Sequence, residues 1–334
     1  MAEEGRLKAA NDVQLDDWIR PQSFAEFIGQ RRIVERLSTY VAAAVERGEA
    51  LDHVLLYGPP GLGKTTLACI LAKEMGVDIL ITSGAAIEKK GDLAAILTHL
   101  KPKDILFIDE IHRLNRQIEE VLYPALEDFK LDIVIGQGIG AKTVRISLSP
   151  FTLVGATTRF GLLSKPLRNR FGITERLDYY PAEELKQIVF RSAKILGMDI
   201  TDEAALEVAH RARGTPRNVN TLLKRIRDIA QVEGATTIGL DVVKRALEKL
   251  EIDSMGLNPV DRKYLELIIK KFGGGPVGVD TICTALQEDK DTIENVVEPY
   301  LMQIGFIKRT PKGRITTPLA RKHLGISAHE DTLF

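Results

Sequence analysis

Eight consecutive residues, Gly58-Pro59-Pro60-Gly61-Leu62-Gly63-Lys64-Thr65, meet the phosphate-loop pattern G-x-x-x-x-G-K-[ST] at every fixed position. Glycines at 58, 61 and 63 let successive backbone N–H groups turn inward around phosphate oxygens, and a helix starting here adds its dipole and unpaired donors. In such a loop Lys64 reaches the β- and γ-phosphates of ATP, and Thr65 offers its hydroxyl to Mg²⁺. A second set of groups suits hydrolysis. The apolar run Ile105-Leu106-Phe107-Ile108 ends in two carboxylates, Asp109 and Glu110. At the carboxyl end of a buried strand, Asp109 is placed to hold the Mg²⁺ shell and Glu110 to orient and polarise an attacking water. His112 is expected to pack or cap and is given no catalytic role. After the apolar run Phe151 to Ala156, Thr157-Thr158-Arg159 puts a polar side chain where it can hydrogen-bond the γ-phosphate or the water. Two arginines, Arg168 and Arg170, stand in a loop just beyond; one of them suits the transition-state charge in a neighbouring subunit's site, because a guanidinium is always charged and matches phosphate geometry.

Those groups need a sheet to carry them. Leu51 to Tyr57 reads as a buried parallel strand, and Thr65 to Met75, with Leu67, Ile70 and Leu71 at helical spacing, as the helix behind the loop. Val77 to Thr82 and Asp104 to Glu110 read as further strands, with a helix from Asp92 to Leu100 between them. Ahead of the loop, Arg20-Pro21 forces an extended start, Ser23 can cap a short helix, and Arg31 to Arg47 carries Ile33, Val34, Leu37, Val41 and Ala44 on one helical face. Asn115 to Phe129 has core spacing at Ile118, Leu122, Ala125 and Leu126. Leu131 to Leu148 alternates about Gly136, Gly138 and Gly140, the signature of an inserted β-hairpin. Its apolar residues Ile133, Ile135 and Ile139 have no task in hydrolysis, so a partner-binding surface is expected there.

Tyr180-Pro181 reads as a domain boundary. From there to about Glu251 the pattern is helical, and Gly214-Thr215-Pro216-Arg217 opens the third helix, projecting Arg217 from a helix start. Ile252 to Pro259 reads as a second linker. Beyond it come helices Asp261 to Phe272, Val279 to Gln287 and Thr292 to Met302, then strands Phe306 to Thr310 and Arg314 to Thr317 about the turn Pro311-Lys312-Gly313, a winged-helix arrangement. Between Lys308 and Lys322 stand six basic residues (Lys308, Arg309, Lys312, Arg314, Arg321, Lys322) and no acid, which suits phosphate contacts whose strength falls with salt.

With 334 residues the chain calls for two or three domains. Its 46 basic and 46 acidic residues cancel, so any nucleic-acid contact must come from a local patch such as the wing. The two cysteines, Cys69 and Cys283, sit far apart in helical stretches and fit reduced thiols. Residues 1–17 read as an acidic, polar tail, and no run approaches the ~20 apolar residues of a membrane span, so a cytoplasmic protein with no membrane association is expected.

The phosphate loop with Thr66, Phe107-Ile108-Asp109-Glu110-Ile111-His112-Arg113-Leu114, Gly155-Ala156-Thr157-Thr158-Arg159, Arg170-Phe171-Gly172, Gly214-Thr215-Pro216-Arg217 and Arg309-Thr310-Pro311-Lys312-Gly313-Arg314 together resemble the RuvB family of bacterial AAA+ ATPases, the motors of Holliday junction branch migration. The resemblance runs from about Ile19 to the C-terminus. Ile19 is a small departure, since leucine is commoner there. The implied fold class is α/β: an AAA+ P-loop parallel-sheet ATPase domain over 18–180 with hairpin 131–148 inserted, a small all-helical lid domain over 181–252 and a winged-helix DNA-binding domain over 253–334.

The implied cofactors are ATP and Mg²⁺. Gly61, Gly63, Lys64, Thr65 and Thr66 would bind the phosphates, with Thr65 on the metal and Asp109 in its second shell. Asp109 and Glu110 would be the Walker B acids, Thr158 the sensor-1 residue, Arg170 the arginine finger given in trans and Arg217 the sensor-2 arginine. Ile19, Arg20 and Tyr180 would contact adenine, and Glu127, Asp128 and Phe129 lie near the nucleotide in the family. Arg309 and Arg314 match its DNA-contacting wing residues. The implied partners are the double-stranded arms of four-way junctions, RuvA through hairpin 131–148, RuvC within the same complex and further copies of the chain in a homohexamer, serving recombination and DNA repair. Two rivals stay open: a loader- or initiator-like AAA+ switch, and a protein-remodelling ATPase whose last domain binds protein.

Overall fold

The structure, a computed structural model, describes residues 19–135 and 142–326. The tail 1–17, Trp18 and the glycine-rich centre 136–141 with Ile139 lie outside the described residues, as do the side chains of 133–143. The chain packs as two units, one of residues up to 196 with 215–220, the other of residues 197–214 and from 221 on.

The first unit is organised on parallel strands β1 (Val54–Tyr57), β2 (Ile79–Ser83), β3 (Ile105–Asp109), β6 (Thr152–Thr157) and β7 (Ile173–Arg176) in the order β2-β3-β6-β1-β7, with the antiparallel pair β4 (Lys130–Ile135) and β5 (Lys142–Ser147) as a separate ribbon. Strands β1, β3 and β6 are buried almost throughout, which is why they read as unbroken apolar runs and not as alternating ones. Leu55, Leu106, Ile108 and Leu153 share one core cluster with Ile118, Leu122, Ala125 and Leu126 of the helix Arg116–Glu127. Full burial of each such leucine or isoleucine is worth about 1.5–3 kcal/mol, so the register is fixed by the core. In that register Tyr57 pairs with Thr157 and Ile108 with Gly155, so the loop after β1, the acids at the end of β3 and the threonines at the end of β6 emerge side by side.

Strand β7 is not announced by the sequence, which offers no apolar run there. It has four residues and alternates, with Ile173 and Glu175 buried and Thr174 and Arg176 exposed. Its pairing with β1 comes entirely from the register of the sheet. Buried Glu175 is satisfied from the helix Arg31–Arg47, where Arg36 Nε donates to it at 2.8 Å.

His53, just before β1, is buried against the rings of Phe129 and Phe151. The backbone N–H of Leu153 donates to its Nδ1 at 3.0 Å, so that nitrogen carries no proton, and Nε2 donates to the Leu126 carbonyl at 3.1 Å. Burial pushes its pKa below the ordinary 6.5. The folded state thus favours the neutral ring. This contribution is complete above the unfolded pKa near 6.5 and is lost as pH falls toward the lowered folded value, with a slope of up to about 1.4 kcal/mol per pH unit. Thermal unfolding of the intact chain between pH 7.5 and 5.5 should show a loss of stability that His53→Leu diminishes; an unchanged pH slope in the variant would refute it.

In the second unit the helices Asp202–Arg211 and Leu240–Lys249 pair. The winged-helix portion contains Pro259–Glu266, continued by a π-helical turn Leu267–Lys271, then Val279–Leu286, Glu298–Gln303 and the antiparallel wing Ile307–Thr310 with Gly313–Thr316. Tyr264, Leu265, Ile268, Ile282 and Leu301 form its core. Among the described residues no helix is long and apolar enough to cross a membrane.

Candidate nucleotide site and wing

The phosphate loop closes β1 and hands the chain to the helix Lys64–Met75. Gly63 has φ 99°, and a Cβ there would stand 3.1 Å from the Phe27 ring, so the last loop glycine is dictated by both backbone and space. Lys64 is buried and donates from Nζ to the carbonyls of Gly58 at 2.9 Å and Pro59 at 2.8 Å, curling over its own loop. Burial brings its pKa down from 10.5 to about 8, Glu110 and then Asp109 pull it back up, and Arg217 adds to the depression. The ammonium therefore remains charged at neutral pH, within the field of both acids and of Arg217. The Arg217 backbone N–H donates to the Gly61 carbonyl at 3.3 Å, which rests the first turn of the helix Pro216–Glu233 on the loop.

Glu110 stands just past β3 in the left-handed region, with φ 47° and ψ 45°. That conformation costs a non-glycine residue about 1–3 kcal/mol and redirects the side chain after the strand ends. The Thr158 hydroxyl donates to Glu110 at 3.2 Å, and His112 Nδ1 lies 3.1 Å from Glu110 Oε2 and 2.9 Å from Thr157 Oγ1. A carboxylate only accepts, so Nδ1 presents its proton to Glu110. His112 thus bears directly on Glu110, a contact that strand periodicity does not signal. Asp109 Oδ1 accepts the Glu110 backbone N–H at 2.9 Å. Thr65 and Thr66 occupy the first turn of the helix behind the loop, partly exposed.

Tyr180 is buried and donates to the Leu62 carbonyl at 3.3 Å, so it rests on the phosphate loop. Ile19 is buried and its carbonyl accepts from Arg191 Nη1 at 2.5 Å, whereas Arg20 is exposed. Phe27, which no sequence pattern singles out, packs against Gly63. Arg170 ion-pairs with Glu127 at 2.9 Å, and its Nη1 donates to the Pro166 carbonyl at 3.0 Å. Phe129 turns its ring onto His53, at the opposite end of β1 from the phosphate loop. Within one chain, therefore, Glu127 meets Arg170 and Phe129 meets His53.

On the wing Arg309 and Arg314 face each other across the ladder. Both grip Glu298, which is completely buried: Arg309 Nε lies 2.6 Å from Oε2, Arg314 Nε lies 2.8 Å from Oε1, and the Tyr264 hydroxyl donates to Oε1 at 2.9 Å. Arg314 also pairs with Glu294 at 2.9 Å and is only 13% exposed, against 42% for Arg309. Lys308, Lys312 and Lys322 are exposed. Arg314→Ala should therefore destabilise this domain by about 1.5–3 kcal/mol, because it removes the less exposed of the two guanidinium partners of a buried carboxylate, Arg309 remaining. Arg309→Ala should cost less and act mainly on DNA affinity and its salt slope. Differential scanning calorimetry and DNA titrations over a salt series separate the two; equal loss of stability in both variants would contradict this division.

A five-stranded parallel sheet whose strand ends present a phosphate loop, an acid pair and a threonine defines a P-loop ATPase of the AAA+ class. Residues 19–177 match the model of the RuvB Holliday junction DNA helicase P-loop domain, residues 180–253 that of the RuvB AAA lid domain and residues 254–325 that of the RuvB C-terminal winged-helix domain. Thermotoga maritima RuvB, solved as the Holliday junction branch migration motor, is 51% identical over 93% of this chain and 99% of its own, with a TM-score of 0.85. Two single-residue variants of that protein match at 52% and 51% identity, each over 92% of this chain and 99% of theirs, with TM-scores of 0.86 and 0.85. The chain belongs to the RuvB family.

Proposed function

We propose that this chain is the ATP-driven motor of Holliday junction branch migration, working as a homohexameric ring on the double-stranded arms of a four-way junction. The observation that carries the reading is the succession of three family matches, P-loop, lid and winged helix, between residues 19 and 325 of one chain. The proposed division is a P-loop domain over 18–180, a lid over 181–252 and a winged-helix domain over 253–334.

The residues present fit the nucleotide and its metal. Lys64, curled over the loop carbonyls with its charge intact, is preorganised to exchange those two carbonyls for β- and γ-phosphate oxygens. Gly61, Gly63, Thr65 and Thr66 line the same turn, Arg217 and Tyr180 touch the loop, and Ile19 with Arg20 would close on the adenine. Mg²⁺ keeps most of its waters and needs few protein ligands; held by Thr65, with Asp109 behind its water shell, it would neutralise charge developing on the phosphates. Glu110 orients the attacking water and accepts its proton, Thr158 fixes Glu110 and senses the γ-phosphate, and Arg170 reaches the neighbouring subunit's site, bringing Glu127–Phe129 close to that nucleotide.

The wing grips phosphates without reading bases, which suits movement along any sequence. The β4–β5 ribbon is the proposed seat of RuvA, RuvC would join the same complex, and the cytoplasm is the expected compartment. The test is dissociation of a synthetic four-way junction by the intact chain with Mg-ATP, with and without RuvA. ATP-dependent dissociation stimulated by RuvA is the expected result. ATP hydrolysis stimulated by polypeptide, with no junction processing under either condition, would replace the motor with a remodeller.

A further inference from the structure

Arg170 is the proposed finger, yet its side chain is only 22% exposed and its Nε is buried without a hydrogen-bond partner. What encloses it is the ring of Tyr123, whose centroid lies 4.7 Å from the guanidinium carbon. That ring is itself fixed. The Tyr123 hydroxyl donates to Glu119 Oε2 at 2.9 Å and lies 3.2 Å from Ser164 Oγ, and Ser164 Oγ donates to the same Glu119 oxygen at 2.6 Å. Glu119 is buried in the helix Arg116–Glu127, one turn before Tyr123. Ser164 caps the short helix Lys165–Arg168 that leads directly to Arg170, accepting the Leu167 N–H at 3.3 Å. One buried carboxylate therefore locks the ring to the segment that carries the arginine.

An arginine that must meet a phosphate across a subunit boundary loses rotamer freedom in doing so. A flat aromatic face removes part of that freedom in advance and satisfies a guanidinium face that has no donor to offer; the edge N–H groups, held within this chain by Glu127 and the Pro166 carbonyl, are the ones to be exchanged for a partner. We propose that Tyr123 is a positioning residue for Arg170, its ring the platform that aims the guanidinium at the neighbouring subunit, with Glu119 and Ser164 bracing that platform. The inference rests on the reading of Arg170 as a finger acting in trans.

The test is DNA-stimulated ATPase of the intact chain carrying Arg170→Ala, Tyr123→Leu, Tyr123→Phe or Ser164→Ala, each alone and mixed with Lys64→Ala chains, which bring an intact finger but a crippled loop. Arg170→Ala sets the floor. Tyr123→Leu should lower turnover about tenfold with little change in the KM for ATP, whereas Tyr123→Phe, which keeps the ring, should stay within about threefold of the parent. Ser164→Ala, which loosens the brace without opening a cavity, should lose about threefold, so a folding failure of the leucine variant leaves the idea testable. Mixing with Lys64→Ala chains should restore hydrolysis to Tyr123→Leu and Ser164→Ala above the sum of the separate activities, because the neighbour then supplies the finger. Turnover at the parent level in Tyr123→Leu and Ser164→Ala, with Arg170→Ala at the floor, would overturn the platform and leave the finger standing. A defect that mixing does not restore would also overturn it, since the tyrosine would then act within its own site. Parent-level turnover in Arg170→Ala would remove the finger reading and the platform with it.

Discussion

Lys64→Ala is expected to lower ATP turnover by about 10²–10³-fold and to abolish ATP-dependent junction dissociation. The structure gives the side chain two tasks, and alanine fails both. Its ammonium holds the Gly58 and Pro59 carbonyls, so the loop keeps its curl before nucleotide arrives. The same ammonium is a buried positive charge, still protonated at neutral pH with a pKa of about 8, in the place where triphosphate charge must be neutralised. Truncation leaves two loop carbonyls without their donor and Asp109 and Glu110 without the cation that faces them, so nucleotide affinity should fall together with turnover. Steady-state ATPase and titration of a fluorescent ATP analogue measure the two separately. Hydrolysis at the parent rate would overturn the assignment of the loop.

Much of this site is legible in the amino-acid sequence, and the reason is local. A phosphate loop is a contiguous pattern whose glycines and lysine are all called for within eight residues, and the strands that carry Asp109 and Thr158 are buried on both faces, so their apolar runs announce them. What the sequence does not disclose depends on pairing between distant segments. Strand β7 exists because β1 offers an edge to Ile173–Arg176; its own residues, an isoleucine followed by threonine, glutamate and arginine, form neither an apolar run nor an apolar alternation.

Charge partners are hidden for the same reason. In sequence, the basic run on the wing looks like a surface of uncompensated cations. Glu298 comes from the preceding helix, is wholly buried and claims both Arg309 and Arg314, so the two arginines are anchored as well as presented. Glu127 is a plain helix-end acid until the fold brings Arg170 to it. His112 reads as packing, and it does pack, but a left-handed backbone at Glu110 turns the carboxylate back onto it. A positive φ at a non-glycine residue is not written in side-chain periodicity; it is imposed by the end of β3 and by the neighbours that hold it.

That strained residue is where the second large effect is expected. Glu110→Gln should reduce single-turnover hydrolysis by about 10²–10⁴-fold while nucleotide binding changes little. The amide matches the carboxylate in shape and can still accept from the Thr158 hydroxyl and from His112 Nδ1–H, so the clamp seen at 3.2 and 3.1 Å persists. What disappears is the negative charge able to take a proton from water. Lys64, which touches the loop carbonyls and not Glu110, should go on holding phosphate. The variant should therefore fill with ATP, bind junction DNA and stall, in contrast to Lys64→Ala, which should never fill. Rapid-quench hydrolysis under single-turnover conditions, beside a fluorescent-nucleotide titration, tells the two apart. Hydrolysis within tenfold of the parent would move the proton-accepting role from Glu110 to the histidine that touches it, and His112→Asn would then have to show the larger loss.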